Sequence, residues 1–212
     1  MLTAIKNNGA TLALFACAST GLVAITNYLT VDKIAEQERN QLIAQLSEVI
    51  PDSLHDNELY KACTLIESES LGSADPMPAY IAELNNQPSG IAVQAIAPDG
   101  YNGSIKLIVG MDIDGVITGT RVLAHNETPG LGDKIDTRIT DWILSFNGKT
   151  VTNENLQDWQ VKKDGGSFDQ FTGATITPRA VVKAVKKAVS HFQQNRDDIL
   201  AQPLNCGGND DK

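Results

Sequence analysis

The period of the apolar positions changes along the chain, and each change marks a different kind of element. From Asn7 to Val31 no charged residue occurs, and Ala10 to Leu29 is a nearly continuous run of apolar and small residues. Roughly 20 such residues in a helix cross a ~30 Å hydrocarbon core. Thr11, Ser19, Thr20, Thr26 and Asn27 interrupt the run, and hydroxylated and small residues suit a helix packed against other membrane helices. Ala16-Cys17-Ala18 nominally offers a signal-peptide cleavage site, but the apolar run continues well past it. A lipoprotein cysteine at Cys17 is disfavoured by the bulk of Phe15. The segment therefore reads as an uncleaved single-span anchor. From Ala35 to Ile50 the apolar residues Leu42, Ile43, Leu46, Val49 and Ile50 return at helical spacing, until Pro51 stops them. Residues 51–78 hold three of the eight prolines and read as a loop-rich connection.

A period of two follows. Tyr80–Leu84 and Ile91–Ile96 flank the turn signal Asn85-Asn86-Gln87-Pro88 and predict two strands. Ser104–Ile113, with Ile105, Leu107 and Val109 alternating, predicts a third, and Val116–Leu123 its partner. Asp114-Gly115 between them reads as a two-residue hairpin turn with both positions at positive φ. Residues 125–134 form a loop; Thr137–Phe146 reads as a helix and Trp159–Lys162 as a short strand. The last element is a helix from Pro178 to about Gln194, with Val181, Val182, Val185, Ala188, Val189 and Phe192 along one stripe and Thr177 as N-cap. The expected fold class is α+β: a mainly antiparallel sheet with flanking helices, behind one transmembrane helix. Its parts are a tail and anchor at 1–31, a helical stalk and connection at 32–78, a domain at 79–195, and a disordered tail at 196–212.

Charge narrows the partners. The net charge of −9 and the absence of a basic patch with interleaved aromatics exclude nucleic acid. Among the 17 basic residues only Lys6 precedes the span, whereas all 26 acidic residues follow it. Positive charge stays cytoplasmic, so the large domain is expected to face outward. On that oxidising side Cys63 and Cys206 are able to pair, though two lone cysteines leave the pairing open. His55, His125 and His191 are too far apart in sequence to form a metal-binding pair. Asp112-Ile113-Asp114-Gly115 lacks the further ligands of a calcium loop.

Candidate chemistry concentrates just before the last helix. Gly165–Pro178 is a loop of small and hydroxyl-bearing residues entering a helix N-terminus, a place where free N–H groups and the helix dipole favour a phosphate. Thr172, Thr175 and Thr177 offer hydroxyls, and Gly173 and Ala174 leave room for close approach. On these grounds alone an ordinary capped helix remains the competing reading.

Asp169-Gln-Phe-Thr172-Gly173-Ala174-Thr175 resembles the D-x-x-[ST]-G-A-T flavinylation motif. That motif belongs to the FMN-binding domain shared by the G subunit of Rnf-type electron transport complexes and the C subunit of the sodium-pumping NADH:quinone reductase. The resemblance implies FMN joined by a phosphoester to Thr175, attached by a flavin transferase that recognises Asp169. Glu127-Thr128-Pro129-Gly130-Leu131-Gly132 resembles the same family's E-T-P-G-L-G loop beside the isoalloxazine ring. The implied contacts are hydrogen bonds from Glu127 and Thr128 and backbone approach at Gly130, Leu131 and Gly132. Pro98-Asp-Gly-Tyr101-x-Gly103 is similar too, and brings Tyr101 near the flavin. The implied protein is a single-pass inner-membrane flavoprotein whose domain faces the periplasm. It transfers electrons among the other membrane subunits of an ion-translocating complex and is not a complete enzyme alone. The chain length favours the Rnf G subunit over the longer sodium-pump subunit. A non-redox anchored scaffold, in which the loop merely caps a helix, is the distant alternative.

Overall fold

A computed structural model of the protein describes residues 2–206, which form two compact units, one up to Leu42 and one from Ile43 onward. The first unit is helical. Helix α1 (Leu2–Val49) runs without a break through both the apolar segment and the amphipathic stretch behind it. It is long and apolar enough to cross a membrane, and Leu12, Phe15, Leu22 and Leu29 are exposed along it. Most hydroxyls in and just past the apolar run bond to the helix's own carbonyls. Thr11 donates to Asn7 O, Thr26 to Leu22 O and Thr30 to Thr26 O, each at 2.9 Å. Internal bonding of this kind is what a polar side chain needs in hydrocarbon.

The second unit is a five-stranded antiparallel meander in chain order, β1 (Cys63–Ile66), β2 (Met77–Leu84), β3 (Gln87–Gly100), β4 (Gly103–Asp112) and β5 (Ile117–Ala124). Helix α2 (Ile176–Leu200) covers one face. Ile91, Val93, Ala95 and Ala97 of β3 pair with Met111, Val109, Leu107 and Ile105 of β4. This buried layer meets Val181, Val185, Ala188, Val189 and Phe192. The end of α1 lies on the opposite face, with Leu46, Val49 and Ile50 at most 1% exposed. Gly110 and Gly119 make that approach possible. A Cβ on Gly110 would stand 2.2 Å from Val49 O, and one on Gly119 2.7 Å from Val49 Cα. Thr118 donates to Val49 O at 2.5 Å and Arg121 to Glu48 at 2.6 Å.

Several expectations are corrected. Residues 43–66, expected in the stalk and connection, supply the helix end and the edge strand β1 to the sheet unit. The turn between β4 and β5 is longer than two residues, and of Asp114 and Gly115 only Gly115 has positive φ (78°). Asp112 N donates to Val116 O, and the Asp112 carboxylate accepts from the amides of Asp114 and Val116. The Asn85-Asn86 turn has the left-handed pair instead, at φ 54° and 59°.

Thr137–Phe146 is not an α-helix; only a 3-10 turn forms, at Trp142–Phe146. Side chains compete for the backbone there: Asp136 accepts from Arg138 N, and Thr140 donates to Lys134 O while accepting from Trp142 N. Trp159–Lys162 contributes a single bridge, Val161 to Phe168, and no strand. This irregular stretch is held by packed aromatics, with ring centroids 4.6 Å apart for Phe146–Phe168, 5.4 Å for Trp159–Phe168 and 5.0 Å for Trp142–Phe171.

The tail expected to be disordered from residue 196 is ordered up to Cys206; the remainder of that expectation, at 207–212, lies outside the described residues. Helix α2 continues to Leu200 past a kink at Asn195. The chain then turns onto the outer edge of β1, where Asn205 N donates to Cys63 O, Leu65 N donates to the Asn205 side chain, and Cys63 and Cys206 form a disulfide. An otherwise open sheet edge is thereby covered.

Farther up α2, His191 takes its place against the turn at Ser68–Leu71. Its Nδ1 is 3.3 Å from Ser68 Oγ and 3.2 Å from Asn195 Nδ2. Burial lowers its pKa below the ordinary 6.5. The unfolded chain therefore binds the proton first as pH falls, so this contribution to stability is complete above about pH 6.5 and declines below it. The urea midpoint is expected to fall between about pH 7.5 and 5.5, and by less in His191→Gln; equal falls in both proteins would contradict the assignment.

Candidate functional site: an anion-binding loop braced by a buried glutamate

The loop entering α2 is shaped by its anchors. Phe171 is buried, and Ala174 N donates to Phe171 O at 3.2 Å, closing a turn over Thr172 and Gly173. Gly173 has φ +83°, a conformation that favours glycine. Asp169 faces outward on this loop, its carboxylate 2.5 Å from Lys162 Nζ and its carbonyl accepting from the Trp142 indole at 2.8 Å. Thr172 is exposed and Ala174 half-buried.

Thr175, not Thr177, is the N-cap of α2, and its side chain makes no capping hydrogen bond. Its half-buried hydroxyl therefore stands free at the positive end of a 25-residue helix. Arg179 in the same first turns is engaged by Asp164, at 2.5 and 2.6 Å. The backbone amides of the helix start and the Thr175 hydroxyl remain available, a donor set that fits a phosphate.

Thr177 has a different task from the one expected. It is fully buried, and its hydroxyl donates to Glu127 Oε2 at 2.5 Å. Glu127 is 4% exposed, and its other oxygen accepts from Asn102 N at 3.1 Å. Each Glu127 oxygen thus accepts one hydrogen bond from the protein. The Glu127 amide in turn donates to His125 Nδ1 at 3.1 Å. Nearby Asp136 is buried, and the hydrogen bond from Arg138 holds its carboxyl below the usual range, with a smaller contribution from His125.

The loop from Glu127 to Gly132 bends tightly around Thr128, whose carbonyl accepts from both Leu131 N and Gly132 N at 3.1 Å. Leu131 lies against the loop before α2, since a Cβ on Gly173 would be 3.3 Å from Leu131 Cδ2. Gly132 is buried between the two motifs: a Cβ there would meet Glu127 Oε2 at 2.7 Å and Thr177 Oγ1 at 2.8 Å. Gly132→Ala is expected to cost about 2 kcal/mol through overpacking, read as a lower urea midpoint at unchanged slope. Thr128 is half-buried, and Gly130 and Tyr101 are exposed, Tyr101 at 67%.

The structure therefore joins Glu127, Leu131, Gly132, Gly173 and Thr177 directly, and leaves Tyr101, Gly130 and Thr172 on the open surface around them. Asn102 was not anticipated. It acts through its backbone amide and also donates from Nδ2 to Asn126 O at 2.6 Å, roles that spacing in the sequence does not reveal.

A sheet unit carrying a phosphate-fitting threonine loop is the arrangement of an FMN-binding protein, and residues 100–190 match the family model of the FMN-binding domain. Residues 1–49 match that of the RnfG N-terminal region. The chain is 68% identical to the G subunit of the ion-translocating oxidoreductase complex of Vibrio atlanticus, over 98% of this chain and 100% of the relative. Identity to the proteins of the same name from Vibrio parahaemolyticus and Vibrio cholerae is 62% and 60%, over 98% of this chain and 99% and 100% of theirs. A crystal structure of NqrC from Shewanella oneidensis superposes with a TM-score of 0.48 at 21% identity, covering 72% of this chain and 75% of that one. The chain belongs to the family of G subunits of ion-translocating oxidoreductase complexes.

Proposed function

We propose that Thr175 carries FMN through a phosphoester, and that this flavin relays electrons among the membrane subunits of an Rnf-type complex. The observation that carries the proposal is the uncapped Thr175 hydroxyl at the start of α2, within a complete D-x-x-T-G-A-T sequence at 169–175. Attachment by a flavin transferase would join Thr175 Oγ1 to the FMN phosphorus of FAD. The pyrophosphate bond breaks, AMP leaves, and the hydroxyl proton passes to solvent or a base of the transferase. Exposed Asp169 suits recognition by that enzyme.

The amides of the helix start and Thr172 would hold the phosphate, while Thr128 and the backbone from Gly130 to Gly132 would line the ring side. Bound FMN supplies the ability to accept or give one or two electrons; position and environment come from the protein. The tether suits a site outside the cytoplasm, where a dissociated flavin would be lost: it replaces a bimolecular equilibrium with a high effective concentration.

Residues 10–29 anchor the chain in the inner membrane, with the sheet unit in the periplasm. Two observations support this orientation: the lone Lys6 before the span with all acidic residues after it, and the Cys63–Cys206 disulfide, which belongs in an oxidising compartment. The decisive experiment is intact-mass and fragment analysis, under denaturing conditions, of protein from its native membrane. A peptide containing Thr175 heavier by FMN minus water is expected. An unmodified peptide from cells with an active flavin transferase would overturn the covalent assignment.

A further inference from the structure

We infer that Glu127 is a positioning residue that locks the ring-side loop to the attachment helix, so that a flavin held at Thr175 presents its ring in one orientation. The inference rests on the reading of Thr175 as the attachment residue. A phosphoester fixes only the phosphate end of FMN, and the ribityl chain beyond it has several freely rotating bonds. Ring orientation must therefore come from noncovalent walls, and those walls are useful only if they are fixed relative to Thr175.

Glu127 supplies that fixation. One carboxylate oxygen receives the Thr177 hydroxyl, 50 residues later in the chain and two residues past Thr175. The other receives the Asn102 amide, 25 residues earlier, at the β3–β4 turn beside Tyr101. Its own amide is held by His125 Nδ1. Two distant stretches of the site, at Asn102 and Thr177, are thus joined to the Glu127 loop by one side chain that is 4% exposed.

The surroundings leave little room for Glu127 to do anything else. Gly132 packs on Oε2, and a Cβ on Gly100 would come within 2.9 Å of Oε1. Each oxygen already receives a protein donor, so the role assigned to the carboxylate is to position its neighbours. It acts through Thr177 and through the backbone from Thr128 to Gly132. A buried carboxylate deprived of a donor is costly, so the three stretches move together or not at all.

The test compares the full-length protein with Glu127→Ala, Glu127→Gln and Thr177→Val, each flavinylated in the same cells. Attachment, read by intact mass, is expected to persist in all of them. In Glu127→Ala most of the visible circular dichroism per attached flavin should be lost. In a Thr175→Ala background, which carries no tethered flavin, Glu127→Ala should speed amide exchange at Leu131 and Gly132 roughly tenfold or more, the scale of one charge-assisted hydrogen bond. Glu127→Gln should restore both signals, because its carbonyl accepts from Asn102 N while its amide donates to the Thr177 hydroxyl. If Glu127→Ala does not fold, Thr177→Val, which removes a single donor, carries the same expectation. Unchanged dichroism and unchanged exchange, even with a lowered melting temperature, would overturn the inference. Should the unaltered protein carry no flavin, the assignment of Thr175 fails, while the exchange measurements still decide whether Glu127 fixes the loop.

Discussion

Thr175→Ala is expected to abolish the covalent flavin completely while moving the thermal midpoint by no more than about 2 °C. The first half follows from chemistry, since alanine has no oxygen to form the ester. The second follows from the structure. An N-cap threonine usually contributes about 1 kcal/mol by bonding a free amide of the first turn, but the Thr175 side chain makes no such bond. Removing it leaves the helix start as it was.

Thr177→Val should behave in the opposite way: attachment retained, stability lower by about 1–2 kcal/mol, because a fully buried donor to Glu127 is lost. Mass spectrometry and thermal melts on the two variants separate an attachment residue from a bracing one. A Thr175→Ala protein still carrying FMN at a neighbouring threonine would move the assignment to Thr172 or Thr177.

Cys206→Ser is expected to lower the unfolding free energy by about 4 kcal/mol and the melting temperature by roughly 10 °C. The bridge joins residues 143 apart in sequence, so it restricts most of the unfolded sheet unit; the chain-entropy relation gives about 5 kcal/mol for such a loop, and measured values usually fall somewhat short. Noncovalent contacts at the same edge depend on the link. Thr64 donates to Gln202 and to Pro203 O, and the amides of Asn205 and Cys206 reach Cys63 O. Without the covalent bond these few hydrogen bonds alone hold the segment after α2 against β1. Urea denaturation of the oxidised protein, the reduced protein and Cys206→Ser measures the effect. A loss below about 1 kcal/mol in both altered forms would mean that the unfolded chain is already restrained without the bridge.

Much of the sheet was legible because its strands are half-covered on a regular alternation. Ile105, Leu107 and Val109 point to α2 and set the register, and the Asn85-Asn86 turn was visible from residue type alone. Helix α2 was legible for the same reason, through one apolar stripe. What failed were elements defined by partners distant in the chain. β1 has only four residues and gains its place from β2 on one side and the C-terminal tail on the other. The stretch 137–146 has helical periodicity, but hydroxyl and carboxylate side chains captured its backbone and the aromatic cluster fixed its path.

The candidate site divides along the same line. Its two loops were visible as short motifs, because glycines and threonines at fixed spacing are demanded locally by a tight turn and a helix start. That Thr175 is free while Thr177 is bonded could not be read from sequence, where both are equally good caps. The difference is that Thr177 meets Glu127, 50 positions away in the chain, while the Thr175 side chain makes no capping bond.

By itself, then, the sequence determined the long apolar helix, the meander strands, the last helix and the threonine-glycine loop that leads into it, all of which depend on contacts within a few residues or on solvent preference. Only the tertiary structure decided which glutamate oxygen meets which donor, whether Cys63 and Cys206 join, and which threonine keeps a free hydroxyl. Those outcomes depend on side chains brought together across long loops, and local spacing carries no information about such encounters.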